Sequence, residues 1–352
     1  MTFPSSLRAV LVVLVVVAAA CGGDETAETT TAGPTTTAAS TTTTAPTTTT
    51  TEPTTTTTEQ GPVAPLTGLP VDDEAALSRP ALILKIDNHP DGRPQVGIGS
   101  ADLVFDVRAE GVTRFMAVFN STVPDVVGPV RSSRTSDFDI ISGFDYPLYG
   151  SSGGNDHVVR GLADLPIQAV TATTRREYFR DASRSGPHNL FVRPADLLAL
   201  ANEQVGVPQP WFTYLTDGTL PPTAVPVDGE VTVAFTGGPT AGFSWDEGRQ
   251  GWLRTQSGSP HLTADGTQIA PANVVIMETS YGVSPADAGS PEVRSTGSGA
   301  AVVLTAGHAV AGTWGRATAS DKPTLLDAGG DPISLTPGQT WILYPEPGQT
   351  SY

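Results

Sequence analysis

The stretch Ala81-Leu82-Ile83-Leu84-Lys85-Ile86-Asp87-Asn88-His89-Pro90 sets the reading of the fold. Its first six residues are apolar except for Lys85 and read as a buried strand. Asp87 to Pro90 then mark the place where the chain leaves the sheet. Downstream, 103–109 and 113–120 read as two strands of a hairpin around Glu110-Gly111. Helical stretches are expected at 135–142, at 156–162 and from Pro194 through Ala201, where the proline suits a first helical turn. After about Gly206 helical signals vanish. Short β-rich runs take over at 231–235, 243–245, 252–255, 274–281, 301–305 and 341–344, separated by Gly, Pro and Asp turns. The fold class expected from this texture is α+β, with an N-terminal domain at 65–205 and a β-rich domain or subdomain at 206–352.

Upstream of Pro65 the composition changes twice. Arg8 precedes an apolar run, Ala9 to Val17, that with the small residues through Ala20 makes about a dozen, too short for a comfortable membrane span and fitting a signal peptide over residues 1–20. The run Ala18-Ala19-Ala20-Cys21 looks like a bacterial lipobox, in which the processed cysteine is acylated, for instance by palmitate. Cys21 is the only cysteine, so the mature chain has no disulfide, thiolate metal site or cysteine nucleophile. From Cys21 to Ala64 the chain is largely Thr, Pro, Ala and Glu. Between Asp24 and Gln60 it carries no aromatic, large aliphatic or basic residue. Such a composition cannot offset the entropy of folding, and a coil of about 40 residues spans roughly 35 Å on average. The sequence therefore describes an exported, extracytoplasmic protein of the cell envelope, held to a membrane by a lipid and a disordered stalk.

The formal charge of −17 argues against a nucleic-acid partner. The basic residues are unevenly placed: 66–205 holds 13 Arg or Lys against 18 Asp or Glu, whereas 206–352 holds 5 against 13. Arginines concentrated in one half of an acidic protein fit either an anionic ligand or internal ion pairs.

Several ordered motifs resemble the YerB-like lipoprotein family, catalogued as domain of unknown function 3048 with N- and C-terminal parts. In the first half they are Pro65-Leu66-Thr67-Gly68-Leu69-Pro70, Ile86-Asp87-Asn88-His89-Pro90 with Arg93-Pro94-Gln95, and Ala101-Asp102-Leu103-Val104. Glu110 through Phe115, Gly128 through Arg134 and Pro187-His188-Asn189-Leu190 continue the series. In the second half the matches are Gly312-Thr313-Trp314 and Pro337 through Ile342. The resemblance implies a lipoprotein with a layered sheet-and-helix N-terminal part and a β-rich C-terminal part. It implies no reaction.

Four constellations are candidates for chemistry. Asp87 and Asn88 with His89 stand at a strand end, where rigid elements present side chains to open loops, although both also suit turn capping. Glu110, Arg114, Arg131 and Arg134 supply an acid and three guanidinium forks, which fit an anion clamp or ion pairs with acids such as Asp137 and Asp139. The loop from Tyr149 through Asp156, with Gly153 near its centre, precedes a helix and suits an anion or a plain turn; it has no lysine and is not a nucleotide-hydrolysing phosphate loop. Arg184, His188 and Asn189 flank a Gly-Pro break, with His188 a candidate acid or base near neutral pH. Arg93 completes the set of expected ligand contacts.

The five histidines show no zinc-like spacing, and no cofactor or metal is expected, a site from His89, His157 and His188 being a weak alternative. Trp245, Trp252, Trp314 and Trp341 suit either a β core or a glycan platform. The leading functional expectation is a non-catalytic module that binds an anionic small molecule, wall polymer or envelope protein. The alternative is a hydrolase or transferase acting on envelope glycan or phosphate groups, with Asp87, Glu110 and His188 as acid or base candidates.

Overall fold

Five consecutive residues buried on β1 (Leu82–Ile86) cannot lie on a sheet with one wet face; they require a strand covered on both sides. The computed structural model, which describes residues 61–71, 74–173 and 175–352, places β1 accordingly inside an eleven-stranded mixed sheet. Cys21 and the threonine-rich segment lie outside the described residues.

The hairpin read from sequence is present. β2 (Leu103–Arg108) and β3 (Thr113–Phe119) pair antiparallel with Val107 opposite Arg114, and Gly111 at φ 67° supplies the left-handed turn residue. β3 pairs antiparallel with β1, and β1 pairs parallel with β4 (Leu148–Gly150), which pairs parallel with β5 (Gln168–Ala169). On the far side of β2 the sheet continues into C-terminal chain. The strand Thr340–Leu343 runs parallel to both β2 and Asn273–Met277, and beyond these stand Gly297–Thr305, His308–Arg316 and Thr324–Asp327. Residues on both sides of the expected boundary near 206 thus share one hydrogen-bonded sheet.

The alternation of side chains divides the core in two. Ile83, Phe105, Met116, Val275 and Ile342 face a layer that includes Ile140, Ile141, Val158, Leu162 and Trp211. Leu84, Phe115, Val274 and Trp341 face Val231, Val233, Phe243 and Trp252 from a separate five-stranded sheet. Trp252, Trp314 and Trp341 are buried, and half-buried Trp245 packs on Trp252 at 5.3 Å, so the tryptophans build core rather than an exposed glycan platform.

The fold is mostly β. Helices form where expected but are short: Ser136–Ile141, Asp156–Ala163 and Pro194–Leu198. The last stops three residues before the expected end. Among the described residues no helix is long and apolar enough to cross a membrane.

Candidate functional site

Because β1, β4 and β5 are parallel and β2 shares their direction through β3, their C-terminal ends meet at one edge of the sheet. Loops at such an edge are rigidly footed and open outward. The segment Val127–Arg131 crosses this edge. Arg131 N donates to Lys85 O at 2.8 Å, Asp87 N donates to Pro129 O at 2.9 Å, and Val130 N donates to Leu190 O at 2.7 Å. These three backbone bonds place Arg131 and His188 on either side of Asp87.

Asp87 is 1% exposed and fully engaged. Its Oδ1 accepts from His89 N at 2.9 Å, and its Oδ2 lies 2.6 Å from His188 Nδ1 and 3.4 Å from Arg131 Nε. Gly92 closes over it so tightly that an added Cβ would sit 2.7 Å from the Asp87 carboxyl carbon. With Nδ1 of His188 on the carboxylate, Nε2 is the nitrogen left to act. The His188 ring stacks on His89, centroids 4.6 Å apart and 17° from parallel.

A second cluster gathers on Glu110. Arg134 forks onto it with Nε to Oε1 at 2.5 Å and Nη2 to Oε2 at 3.0 Å, Ser290 Oγ donates to Oε1 at 2.6 Å, and Arg114 Nη2 lies 3.4 Å away. Burial pushes the Glu110 carboxyl up, but the bonds from Arg134 and Ser290 and the charges of Arg114 and Arg134 outweigh it and hold the group at about 2. A carboxylate held that low carries no proton at neutral pH and is a weak base, which weighs against Glu110 as an acid or base. Burial, then the neighbouring charge of Arg134, lowers the Arg114 guanidinium to about 10; Arg131 and Asp87 also act on it. The two clusters are therefore electrostatic neighbours, linked through Ser132, whose carbonyl accepts from Arg114 Nη1 at 3.2 Å.

The remaining expected contacts divide. Arg184 reaches the same edge but is tied to backbone, donating to Gly92 O at 3.2 Å and Pro94 O at 2.8 Å, with Asp181 at 3.6 Å. Asn189 accepts from Arg180 at 2.6 Å and donates to Arg184 O at 3.3 Å. Gly153 O accepts from Ser133 N at 2.8 Å, and Asn155 caps the following helix by accepting from Val158 N at 3.0 Å, so the loop is locked onto 131–133 and its helix start is already satisfied. Asn88 points inward and donates to Thr113 Oγ1 at 2.7 Å. Arg93 lines a depression of about 320 Å³ with Pro90, Pro94, Pro260, His261 and Leu262. Asp137, offered by the sequence as a partner for Arg131 or Arg134, instead takes Lys85 at 2.5 Å, both side chains fully buried.

Sequence reading missed a polar network between the two sheets. Arg254 Nη2 donates to Asp106 Oδ2 at 2.8 Å with both side chains at 0% exposure, and Arg254 also contacts Gln256 and His261. His261 Nε2 lies 2.9 Å from Gln95 Oε1. Its only sequence signal was a basic residue two places after Trp252, on the same inward face of the strand Gly251–Gln256.

Comparison with known proteins places this architecture. Family models described as the N-terminal and C-terminal domains of a protein of unknown function (DUF3048) match residues 66–207 and 231–342. The chain belongs to this family. YerB of Bacillus subtilis (strain 168), provisionally described as a lipoprotein, is 28% identical over 296 residues, covering 79% of this chain and 85% of that one. The crystal structure of the YerB protein from Bacillus subtilis superposes with a TM-score of 0.71 at 23% identity, over 82% of this chain and 98% of the other, a likeness of fold. The family segments carry both clusters: Asp87, Glu110, Arg114, Arg131, Arg134 and His188 all fall within 66–207.

Proposed function

We propose that this chain is an exported lipoprotein, tethered to a membrane through a lipid on Cys21 and the stalk of residues 21–64, that binds an anionic group at the strand-end edge without chemical turnover. On this reading residues 65–205 carry the ligand groups and 206–352 brace them. The lipoprotein description of the Bacillus subtilis relative supports the anchoring. The binding reading rests on one observation, the charge at the edge. Three guanidinium groups, Arg114, Arg131 and Arg134, meet only two carboxylates, Asp87 and Glu110, within ion-pair distance, so three minus two leaves one positive charge with His188 left out of the count. A surplus cation beside buried Asp87 and solvent-facing Glu110, in a protein of net charge −17, is placed to receive a phosphate or carboxylate.

Titration with inorganic phosphate, read by thermal unfolding, tests the site. The parent protein should be stabilised with the logarithm of phosphate concentration once the site fills, and Arg131→Ala should not respond. A parent protein indifferent to phosphate and to dicarboxylates would end the reading. For the anchor, Cys21→Ala should abolish incorporation of a fatty-acid probe, since no other cysteine can take the lipid; equal labelling of mutant and parent would remove it.

One observation favours an enzyme as the second reading. Asp87 on Nδ1 of His188 is the arrangement that orients an imidazole for proton transfer at Nε2, suited to a hydrolase or transferase acting on envelope glycan or phosphate groups. A phosphomonoester or glycan fragment turned over by the parent and not by His188→Ala would favour it over binding.

A further inference from the structure

Beside the Asp87 cluster, the loop that follows β1 folds a second carboxylate back toward the histidines. The geometry points to a divalent transition-metal site formed by His89, Asp91 and His188, with Asp87 as the group that orients it. Ligand-capable atoms of these three side chains all lie within 4.8 Å of one another. Two imidazoles and a carboxylate form a donor set for Zn²⁺ or its late first-row neighbours rather than for Ca²⁺ or Mg²⁺, which prefer oxygen.

The second shell is already in place. Metal-binding histidines characteristically give their other ring nitrogen to a carboxylate, which fixes ring orientation and raises basicity at the metal-facing nitrogen. His188 Nδ1 is 2.6 Å from buried Asp87 Oδ2, which leaves Nε2 for an ion. The same carboxylate accepts from His89 N through Oδ1, so one buried aspartate positions both histidines. Pro90 and Gly92 then turn the chain so that Asp91 comes within 3.5 Å of His89 Nδ1. The nearby positive charge of Arg131 is met by Asp87 Oδ2.

Closing the site needs movement, and the exposed members can supply it. Two donors on one tetrahedral zinc stand about 3.4 Å apart, so the trio must contract by roughly an ångström. The two rings, now nearly parallel, must also turn so that both planes contain the ion. His188 is held by Asp87, whereas the side chains of His89 and Asp91 are 42% and 74% exposed, and His89 is tied by the Asp91 N–H on its Nδ1 at 3.2 Å and by its stacking on His188. Water would complete the coordination, an open arrangement. His157, the third histidine weighed from sequence, is not part of the group and sits exposed at the start of the Asp156–Ala163 helix.

This inference goes beyond the anion reading and does not need it. The test is calorimetric titration of the chelator-stripped protein with Zn²⁺, with Co²⁺ absorbance as a second readout. One ion per chain is expected, with affinity weakened more than about tenfold in His89→Ala, His188→Ala and Asp91→Asn and unchanged in His157→Ala. Asp91→Asn alters a largely exposed side chain and guards against a folding artefact, checked by thermal unfolding in EDTA. His89→Ala should keep the phosphate response in EDTA, while Arg131→Ala should keep zinc, so either reading can fail alone. Zinc uptake by the parent no tighter than by a His89→Ala/His188→Ala double variant would overturn the metal site.

Discussion

The strand-end edge and the space between the two sheets hold the same kinds of residue put to opposite uses. Between the sheets, Arg254 and Asp106 are sealed at 0% exposure, and the guanidinium lies over the rings of Phe115, Phe243 and Trp341 at 4.7 to 5.8 Å. The cation there is turned wholly inward, even though Asp106 Oδ1 and Arg254 Nε find no hydrogen-bond partner. At the edge, Asp87 is just as buried, but its partners Arg131 and His188 keep 17% and 12% of their side chains in solvent. The lesson is that a buried acid alone does not mark a site. The reading proposed for the edge rests on a buried acid whose partners reach outward, because only those can be shared with a ligand.

The largest effect should follow from breaking the sealed pair. Arg254→Ala strands the Asp106 carboxylate, which burial already drives up against the pull of Arg254, and stability should fall by about 3–5 kcal/mol. Denaturant unfolding measures this, and the residual protein should still answer phosphate as the parent does. A loss below about 1 kcal/mol would mean that the inter-sheet network is not the strut its burial implies. Replacing both partners by apolar residues of similar volume should recover much of the loss, since an ion pair in such surroundings is not itself strongly stabilising.

The contrast also explains what the sequence did and did not disclose. β1 was legible because local apolar density settles the burial of a strand, and the hairpin around Gly111 because turn chemistry is local. The wedging of Thr340–Leu343 between β2 and Asn273–Met277 was not, because a parallel register, here with β2 more than 200 residues away, leaves no local mark. The candidate residues behaved likewise. Asp87, Arg131 and His188 were each singled out by type, but Asp87 and His188 are 101 positions apart and only the fold could join them. Asn88, adjacent to Asp87, was included on the same signal and turned inward, since consecutive residues at a strand end point to opposite faces. Asp91 was passed over because an exposed loop acid is indistinguishable from any other.

At the edge the stability effects should be smaller. Arg131→Ala leaves Asp87 with two hydrogen bonds, from His188 and from the His89 backbone. Its cost should be about 1 kcal/mol, set against complete loss of the phosphate response. A loss of about 3 kcal/mol or more would move Arg131 into the same class as Arg254 and erase the distinction between the two regions.

The smallest expected effect, and the one that isolates the second cluster, is that of Glu110→Gln. In the folded chain this carboxyl is held at about 2, below its ordinary 4.5. A depressed acid stabilises the fold above its unfolded value, and that contribution disappears as pH falls from about 4.5 through about 2. Parent and Glu110→Gln should therefore differ at pH 7, with the variant less stable, and converge in acid. The side chain is 34% exposed, so solvent screens the pair and the neutral-pH difference should be under about 1 kcal/mol. Added salt should shrink it further. Unfolding measured from pH 7 to pH 2 at two ionic strengths checks both slopes. A pH-independent difference would mean that Glu110 acts through packing against Ser290 rather than through charge. If the charge account holds, Arg114 and Arg134 are freed in the variant, and the surplus at the edge rises from one positive charge to two. The phosphate response should then strengthen, which ties the weakest stability effect to the function proposed for the edge.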